Sequence, residues 1–599
     1  MRRVLFAALL AAAALGGFAV VNSINSVHAS PESIRAAEKQ RVEVIAKVRP
    51  AVVAIYARGG QGGGSGVLID KDGYALTNFH VVQGSGPIMQ CGLADGVLYD
   101  AVLVGLDKVG DVALIKLLPK EEGKPFPFVA LGDSDKVQEG DWSLAMGNPF
   151  LLATDFTPTV TFGLISGVHR YQYPEGTLLE YTDCIQIDTS INPGNSGGPL
   201  FNMQGELIGI NGRGSFDKRR RINSGVGYAI SINQIKNFMG HLYGGVDTDH
   251  ATLGARVESL SEEILRLSVK EVLDDADVAR RGLEVGDELI AFAGRPMTTV
   301  NEFKNVLGIY PKDWRLPLVF RHENQRREVL VRLQGLQPKE IKEDGTEQPK
   351  PGPQPARPAA PLPDSPAKKL YREKEGFANY HFNEMHQNRV WSSLQKHGDF
   401  TGLIGAWTIQ GELQLKAQAQ PATLTVSDKK VDTGAVTMVK LDIGASTFDL
   451  EPLKNPPSKD ENVSPPGSGG LLMAMYHYRR FLTEGMKGFE RNPAYGGWEP
   501  FYPYPADGST PKSLKDIRVD TEVLRTEHGG VPAKWYFDKK DQKLLGFEVF
   551  AEEKADPCEV YLADYRPVDG RQLPHRIEIR YGNDRFGVWT VKSYKLAAK

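Results

Sequence analysis

Three side chains of the types that act together in nucleophilic catalysis stand far apart in this sequence. They are His80 in TNFHVV, Asp111 in GDVALIKL and Ser196 in GNSGG. A serine nucleophile needs a base that removes its proton, a third group that orients the base, and backbone N–H donors for the developing oxyanion. Ser196 is therefore predicted to be the nucleophile, His80 the general base and acid, and Asp111 the group that orients His80.

The loop around Ser196, INPGNSGGPL at 191–200, is rich in glycine. Glycine lets the backbone turn its N–H groups toward a substrate carbonyl without Cβ collisions, so this loop can supply an oxyanion hole. A glycine cluster alone is equally typical of an ordinary turn. The order His, Asp, Ser favours the catalytic interpretation, because it is the order of chymotrypsin-type barrels and not that of subtilisin or the α/β hydrolases.

Six segments, in this order, resemble the protease domain of the HtrA (high-temperature-requirement A) family: GSGVLID, GYALTNFHVV, GDVALIKL, MGNPF, IQIDTSINPGNSGGPL and GVGYAIS. The resemblance implies, for a domain at 40–245, two six-stranded β-barrels with the triad in the cleft between them. It also implies an oxyanion hole formed by the N–H groups of Gly194 and Ser196, with Asn195 as a further candidate.

The resemblance also implies where the substrate side chain before the scissile bond would lie. In trypsin-type geometry the residue six before the nucleophile forms the pocket floor, which here is Ser190, and Ile191 would line the wall. Without a carboxylate at the floor, the pocket is expected to take a small or medium apolar side chain. The segment Asn211-Gly212-Arg213 should pair with the substrate backbone, although Arg213 departs from the apolar or small residues usual in the family.

The N-terminus indicates export from the cytoplasm. Met1-Arg2-Arg3 precedes an uncharged apolar run, and Val27 and Ala29 fit the small-residue cleavage pattern, so residues 1–29 are predicted to be a signal peptide. The run is long enough that an uncleaved anchor in the inner membrane is the alternative. Either interpretation places the chain in the periplasm or outside the cell. The three cysteines are too few and scattered for a disulfide framework and are interpreted as buried thiols.

Composition excludes several other classes of function. The 599 residues need about three or four domains, and 71 basic against 74 acidic residues give no sign of a nucleic-acid partner.

His381 and His386 are five apart on a predicted helix and cannot chelate as a four-apart pair does, so no metal site and no cofactor are expected. The run KRRR at 218–221 is interpreted as a solvated hairpin tip.

Residues 250–335 resemble the PDZ domain that follows the protease in this family, through TLGA at 252–255 and GLEVGDELIAFAGRPM. The resemblance implies that a peptide C-terminus adds as an extra strand, with its carboxylate on the N–H groups of Leu253, Gly254 and Ala255. The alternative is a domain that only packs against its neighbours.

Residues 336–370 are rich in proline and are predicted to be an extended linker. After it, 371–599 show alternating apolar segments typical of an antiparallel sheet, with one helix at 376–396. This part is faintly similar to the half-barrel lipoprotein carriers LolA and LolB. Its aromatic residues fit either a sheet core or a lipid cavity; they are Trp535, Phe537, Phe547, Trp589 and Tyr594.

Together these patterns predict a mostly β, multidomain, exported serine endopeptidase that is independent of ATP and cleaves misfolded or unfolded envelope proteins. The family implies a homotrimer, and membrane contact is expected only if the leader is retained. The alternative from another class is a chaperone or scaffold with a resting protease cleft that binds clients or lipid through its other domains.

Overall fold

The computed structural model describes residues 31–56, 63–148, 153–172, 181–216, 223–260, 265–336, 362–416, 418–431, 434–452, 459–505, 509 and 511–598. The predicted leader at 1–29 and the basic run at 218–221 lie outside these ranges, as do most of the predicted linker residues. Within the described ranges, no helix has the length and apolarity that crossing a membrane requires.

Two closed barrels of six strands each form the front of the molecule. The first barrel runs in the order β5-β4-β1-β2-β3-β6 and is closed by pairing of β5 with β6. Its strands are β1 (Val52–Tyr56), β2 (Gly63–Leu68), β3 (Tyr74–Thr77), β4 (Ile88–Gly92), β5 (Leu98–Asp107) and β6 (Val112–Leu117). The turn between β2 and β3 needs Gly73 at a φ of 89°, because a Cβ there would lie 2.6 Å from the Leu117 carbonyl oxygen.

The second barrel closes in the order β10-β11-β12-β9-β8-β7. Its strands are β7 (Trp142–Gly147), β8 (Thr159–Gln172), β9 (Tyr181–Ile187), β10 (Pro199–Phe201), β11 (Leu207–Phe216) and β12 (Asn223–Ser231). Three helices accompany the barrels, at Pro31–Val48, Phe79–Gln83 and Ile232–Tyr243. The predicted double barrel is therefore confirmed, and it places the loops that carry His80, Asp111 and Ser196 beside one another.

A smaller α+β unit follows the barrels. Its main sheet runs β15-β16-β17-β19-β20, so β15 is an edge strand, and β18 pairs with β17. The strands from the junction onward are β13 (Asp247–Thr248), β14 (Ala251–Thr252), β15 (Ala255–Ser259), β16 (Leu267–Val272), β17 (Glu288–Phe292), β18 (Arg295–Pro296), β19 (Arg315–His322), β20 (Gln325–Arg332) and β21 (Gln334–Gly335). Its helices are Asp277–Arg280 and Val300–Leu307. We call 250–336 the middle unit.

The rest of the chain forms one antiparallel sheet of eleven strands in the order β25-β24-β23-β22-β32-β31-β30-β29-β28-β27-β26. The strands are β22 (Trp407–Leu415), β23 (Gln418–Val431), β24 (Gly434–Ile443), β25 (Ser446–Leu450), β26 (Arg491–Phe501), β27 (Val519–His528), β28 (Val531–Asp538), β29 (Leu544–Val549), β30 (Cys558–Val568), β31 (Arg571–Tyr581) and β32 (Asp584–Leu596). Its helices are Tyr380–Leu394, Lys459–Asn462 and Leu471–Glu484. We call 371–598 the third unit.

The aromatic residues of this sheet are core. The helix Leu471–Glu484 is buried along most of its length. Its Phe481 stacks on Trp535 with ring centroids 4.0 Å apart, and its Tyr478 stacks on Phe547 at 5.2 Å. The aromatic residues singled out in the sequence belong to the same buried cluster. The helix thus occupies the space beside these aromatic residues that a lipid cavity would need.

The end of the predicted linker is ordered and packs on the first barrel. Residues Pro366–Leu370 form a 3₁₀ helix, and Ala367 is fully buried in the barrel core. Asn379 Nδ2 donates to the Leu103 carbonyl at 2.8 Å, which ties the start of the third unit to strand β5. Residues from 362 onward therefore belong to the packed structure, although their proline content resembles that of the spacer before them.

Buried ion pairs join the middle unit to the third unit. Arg315 Nη1 lies 2.6 Å from Glu559 Oε2 and 3.5 Å from Glu548 Oε1, while Arg332 Nη2 lies 2.7 Å from Glu548 Oε1. Tyr561 donates its hydroxyl proton to Glu559 at 2.8 Å. Because these groups are almost completely buried, each charge depends on its partner in the other unit.

Replacing Arg315 by Met is expected to destabilise the chain by about 3–5 kcal/mol, because it leaves a buried carboxylate without its cation. Calorimetry should show a clear fall in Tm. The matched control is Lys592→Met, which removes an exposed pair with Glu412 at 2.6 Å and should cost about 0–1 kcal/mol. Equal Tm values for the two variants would contradict the proposed dependence on burial.

Candidate active site

His80 and Asp111 form a hydrogen-bonded dyad at the mouth of the first barrel. His80 Nδ1 lies 2.8 Å from Asp111 Oδ2, and the His80 backbone N–H donates to Asp111 Oδ1 at 3.0 Å. Asp111 is fully buried, whereas the His80 side chain is 37% exposed. The dyad therefore presents the other face of the imidazole, with Nε2, toward the cleft, as a general base requires.

The loop before β6 holds Asp111 in an unusual backbone conformation. Its φ is 56°, a left-handed value that costs free energy for a residue with a Cβ. Two donors from the neighbouring helix start hold its carbonyl oxygen: Asn78 Nδ2 at 2.8 Å and Phe79 N at 3.2 Å. These bonds offset the strain and turn the carboxylate toward His80.

The same loop is tied to the middle unit through a buried histidine. His250 Nε2 lies 2.8 and 2.9 Å from the two carboxylate oxygens of Asp107, and its Nδ1 lies 2.7 Å from the Gly308 carbonyl oxygen. Because a backbone carbonyl can only accept, His250 Nδ1 is the donor to Gly308. Asp107 in turn accepts the Gly110 N–H at 2.9 Å, directly before the catalytic aspartate.

Ser196 occupies the second of two consecutive tight turns. The first turn closes with the Asn195 N–H donating to the Asn192 carbonyl at 2.9 Å, and it has proline at its second position and Gly194 with φ 102° at its third. The second closes from Gly198 N to Asn195 O at 3.0 Å, with Gly197 at φ 82°. Glycine with positive φ at the third position is typical of type II turns.

These turns determine which backbone donors the loop can offer an oxyanion. The N–H of Asn195 is engaged within the first turn, so it is not a free donor in this conformation. The hydrogen bonds of the described residues engage neither the N–H of Gly194 nor that of Ser196. Within the described residues, the N–H of Asn195 is thus engaged in its own turn and those of Gly194 and Ser196 are not, while the oxyanion role of the three residues stays a prediction.

The Ser196 hydroxyl is in a resting position. Its Oγ donates to the Gly212 carbonyl oxygen at 3.3 Å. The Ser196 carbonyl accepts from Ser65 N at 2.9 Å, and the Ser65 hydroxyl donates to the Gly194 carbonyl at 2.7 Å, so the first barrel supports the nucleophile loop. As the predicted nucleophile, Ser196 would have to exchange this bond for one to His80 Nε2.

The residues predicted to form the substrate pocket lie in different environments. Ser190 is exposed, whereas Ile191 is 2% exposed and packs in the core of the second barrel. Asn211 is fully buried, and its Nδ2 donates to the Pro199 carbonyl at 3.0 Å, so its side chain holds strands β10 and β11 together. The Arg213 side chain lies outside the described residues.

The predicted carboxylate loop of the middle unit has mixed exposure too. Leu253 is 2% exposed and belongs to the core of that unit. Gly254 has φ 73°, and a Cβ there would lie 2.4 Å from the Ala276 Cβ. Ala255 starts the edge strand β15, which leaves one side of that strand without a neighbouring strand in its sheet.

Two supporting residues had no recognisable signal in the sequence. Tyr181 donates its hydroxyl proton to Asp111 Oδ2 at 2.6 Å, across 70 positions of the chain, and His250 acts through Asp107 as described above. Neither belongs to a spaced motif, because each contact exists only after separate elements have packed.

Other chemistry-bearing side chains do not assemble into a second centre. The three cysteines are free and buried, as predicted, and burial raises the pKa of each thiol. Among the described residues, no group of three histidine, cysteine or acidic side chains is placed to hold a metal ion. Burial beside Arg389 lowers the pKa of His386 to about 4, so this ring is neutral near pH 7.

Comparisons with known proteins agree with the geometry of the barrels. The family model of the trypsin-like peptidase domain matches residues 64–210. The probable periplasmic serine endoprotease DegP-like of Chlamydia muridarum is 32% identical over 282 residues, which cover 45% of this chain and 53% of that protein. The periplasmic serine endoprotease DegP of Escherichia coli K12 is 33% identical over 302 residues, which cover 47% and 61%.

Among solved structures, the HtrA-type protease AlgW with a tripeptide is 30% identical to this chain, and the TM-score is 0.41. The match covers 50% of this chain and 97% of that chain. The chain spans about half the length of the Chlamydia relative. The chain therefore carries a trypsin-like peptidase domain at 64–210, and its first half is similar in sequence to periplasmic serine endoproteases of the DegP type.

Proposed function

We propose that this chain is an exported, ATP-independent serine endopeptidase that cleaves misfolded or unfolded proteins of the cell envelope. The observation that carries the proposal is the His80–Asp111 hydrogen bond of 2.8 Å beside a serine held at the tip of a glycine turn. The periplasmic names of the relatives from Chlamydia and Escherichia coli support the extracytoplasmic location.

In the proposed reaction, Ser196 Oγ attacks the substrate carbonyl carbon while its proton passes to His80 Nε2. The oxyanion that forms accepts hydrogen bonds from the N–H groups of Gly194 and Ser196. Asp111 holds the imidazolium, which then gives its proton to the leaving amine. A water molecule attacks the resulting ester by the same route, which releases the acid and restores the serine hydroxyl.

The specificity proposal follows from the residues beside the nucleophile. Ser190 and Ile191 offer no carboxylate, so the pocket should favour a small or medium apolar side chain before the scissile bond. The strand that contains Gly212 would pair with the substrate backbone. The Gly212 carbonyl already accepts a hydrogen bond from the Ser196 hydroxyl. A substrate strand placed there competes with this contact and so favours rotation of Ser196 toward His80.

Replacing Ser196 by Ala should lower the rate of casein cleavage by on the order of a million-fold, as loss of the nucleophile does in comparable enzymes. Ser392→Ala, on the exposed face of the helix Tyr380–Leu394, is the matched control and should keep the full rate. An unchanged rate in the Ser196 variant would refute the proposed nucleophile.

A fluorophosphonate probe separates this proposal from the chaperone alternative. An endopeptidase should be labelled at Ser196, and an unfolded client should raise the labelling rate if the resting hydroxyl must first be released from Gly212. A folded chain that binds clients but is not labelled under either condition would favour the chaperone.

We propose further that the middle unit binds peptide C-termini on strand β15, with the carboxylate at Leu253, Gly254 and Ala255. Fluorescence anisotropy should show at least about ten-fold weaker binding for a peptide amide than for the same apolar-ended peptide with a free carboxylate. Gly254→Ala should abolish binding, because its φ is 73° and the added Cβ has no room. Gly286→Ala, at φ 96° but in open space, is the control for backbone strain. Equal affinity for acid and amide would contradict this site.

The family also supports a homotrimer assembled through the barrels. Light scattering after gel filtration should give three chain masses for the full-length protein and for Ser196→Ala alike. A monomer at micromolar concentration would contradict this part of the proposal.

A further inference from the structure

We propose that Tyr181 is a positioning residue of the active site, whose phenolic hydroxyl fixes the Asp111 carboxylate and thereby the His80 ring. The inference rests on the proposed serine-peptidase function and names a residue beyond the three expected for it. The observations that carry it are the contacts of Tyr181, its burial, and the glycine that makes room for it.

The hydroxyl completes the set of donors around one buried carboxylate. Asp111 Oδ2 accepts from Tyr181 at 2.6 Å and from His80 Nδ1 at 2.8 Å, while Oδ1 accepts from the His80 N–H at 3.0 Å. An ionised carboxylate can only accept, so the phenol must be the donor. Asp111 is fully buried and Tyr181 is 3% exposed, so water cannot readily replace this donor. Without Tyr181, both remaining bonds come from His80 itself and would not hold the carboxylate independently of the ring.

Gly212 makes the approach of the tyrosine ring possible. A Cβ on Gly212 would lie 2.6 Å from Tyr181 Cε1 and 3.0 Å from the hydroxyl oxygen, which no real side chain tolerates. The carbonyl of the same glycine accepts the Ser196 hydroxyl. Gly212 thus leaves room for the ring that reaches Asp111, and its carbonyl also contacts the nucleophile. Tyr181 therefore lies within the catalytic centre.

The strand that carries Tyr181 is held from the middle unit. Asp183 donates its N–H to Asn305 Oδ1 at 3.0 Å, and its carboxylate accepts from Arg295 Nη1 at 3.0 Å and lies 2.6 Å from His169 Nδ1. The two cations hold the pKa of Asp183 below its usual range against the opposing effect of burial. Tyr181 is the first residue of strand β9, two residues before Asp183. The bonds of Asp183 therefore fix the strand on the C-terminal side of Tyr181.

The hydroxyl has a chemical consequence during the reaction. When His80 takes the proton of Ser196, the imidazolium is stabilised by the negative charge of Asp111. A donor on Asp111 spreads that charge and keeps both oxygens aligned. Removing the donor should therefore misalign the ring, which slows catalysis, and concentrate charge on the carboxylate, which favours the protonated ring up to a higher pH.

The test is Tyr181→Phe, with Tyr99→Phe as matched control, because Tyr99 donates to Asp95 at 2.8 Å at the exposed start of strand β5 in the first barrel. For hydrolysis of a peptide substrate, Tyr181→Phe should lower kcat about ten-fold with KM within about two-fold, and should move the acidic limb of the kcat/KM profile to higher pH. Tyr99→Phe should change neither.

A second variant reaches the same contact from the opposite side. Gly212→Ala forces the ring away, so it should lower kcat, and adding Tyr181→Phe to it should lower kcat no further. Additive losses would overturn the inference, as would an unchanged acidic limb in folded Tyr181→Phe. If Tyr181→Phe fails to fold, the acidic limb of Gly212→Ala is compared with that of the wild type: a shift to higher pH supports the role of Tyr181, and an unchanged limb overturns it.

An NMR titration of the His80 imidazole keeps this inference distinct from the proposed function. In the Ser196→Ala background, Tyr181→Phe should raise the titration midpoint of His80 whether or not the wild type cleaves protein. Wild-type protein without peptidase activity would refute the proposed function alone. Identical His80 titration midpoints in Ser196→Ala with and without Tyr181→Phe would refute the role of Tyr181 alone.

Discussion

The site depends on keeping one carboxylate charged where no water reaches it. Asp111 is fully buried, and an isolated carboxylate in such a place would lose several kcal/mol and take up a proton instead. The His80 ring, the His80 backbone N–H and the phenol of Tyr181 together replace the missing water around this carboxylate. Both barrels and the middle unit contribute to this arrangement, which explains why the catalytic residues come from such distant parts of the chain.

Sequence reasoning could predict a triad because His80, Asp111 and Ser196 each lie in a local pattern. The turns around Ser196 follow from glycines at 194 and 197, which adopt the positive φ angles that the pattern implied. The double barrel was implied by the family resemblance that the six ordered motifs carry. In these cases the chemistry of a few neighbouring residues determines the geometry, so no long-range information was needed.

Other features could not be read from the sequence, because they arise from packing between distant segments. Tyr181 resembles any strand tyrosine until its ring passes Gly212, and Ala367 lies in proline-rich sequence but fills the barrel core. The Asn195 N–H was a reasonable oxyanion candidate that the turn itself uses. The aromatic pattern of the third unit favoured a core but left a lipid cavity open, and the packing of the helix Leu471–Glu484 against these residues could not be predicted from it.

The strand order of the third unit has a consequence for the newly made chain. Strand β22 lies beside β32, so residues 407–414 pair with 588–596 and the sheet is complete only after nearly all of its length has emerged. Sheets with such distant pairings form slowly, whereas the barrels pair mostly neighbouring strands and can close earlier. A protease that attacks unfolded polypeptide would then find its own third unit within reach. Under the proposed function, the contact of the Ser196 hydroxyl with Gly212 would leave that segment uncut while it folds.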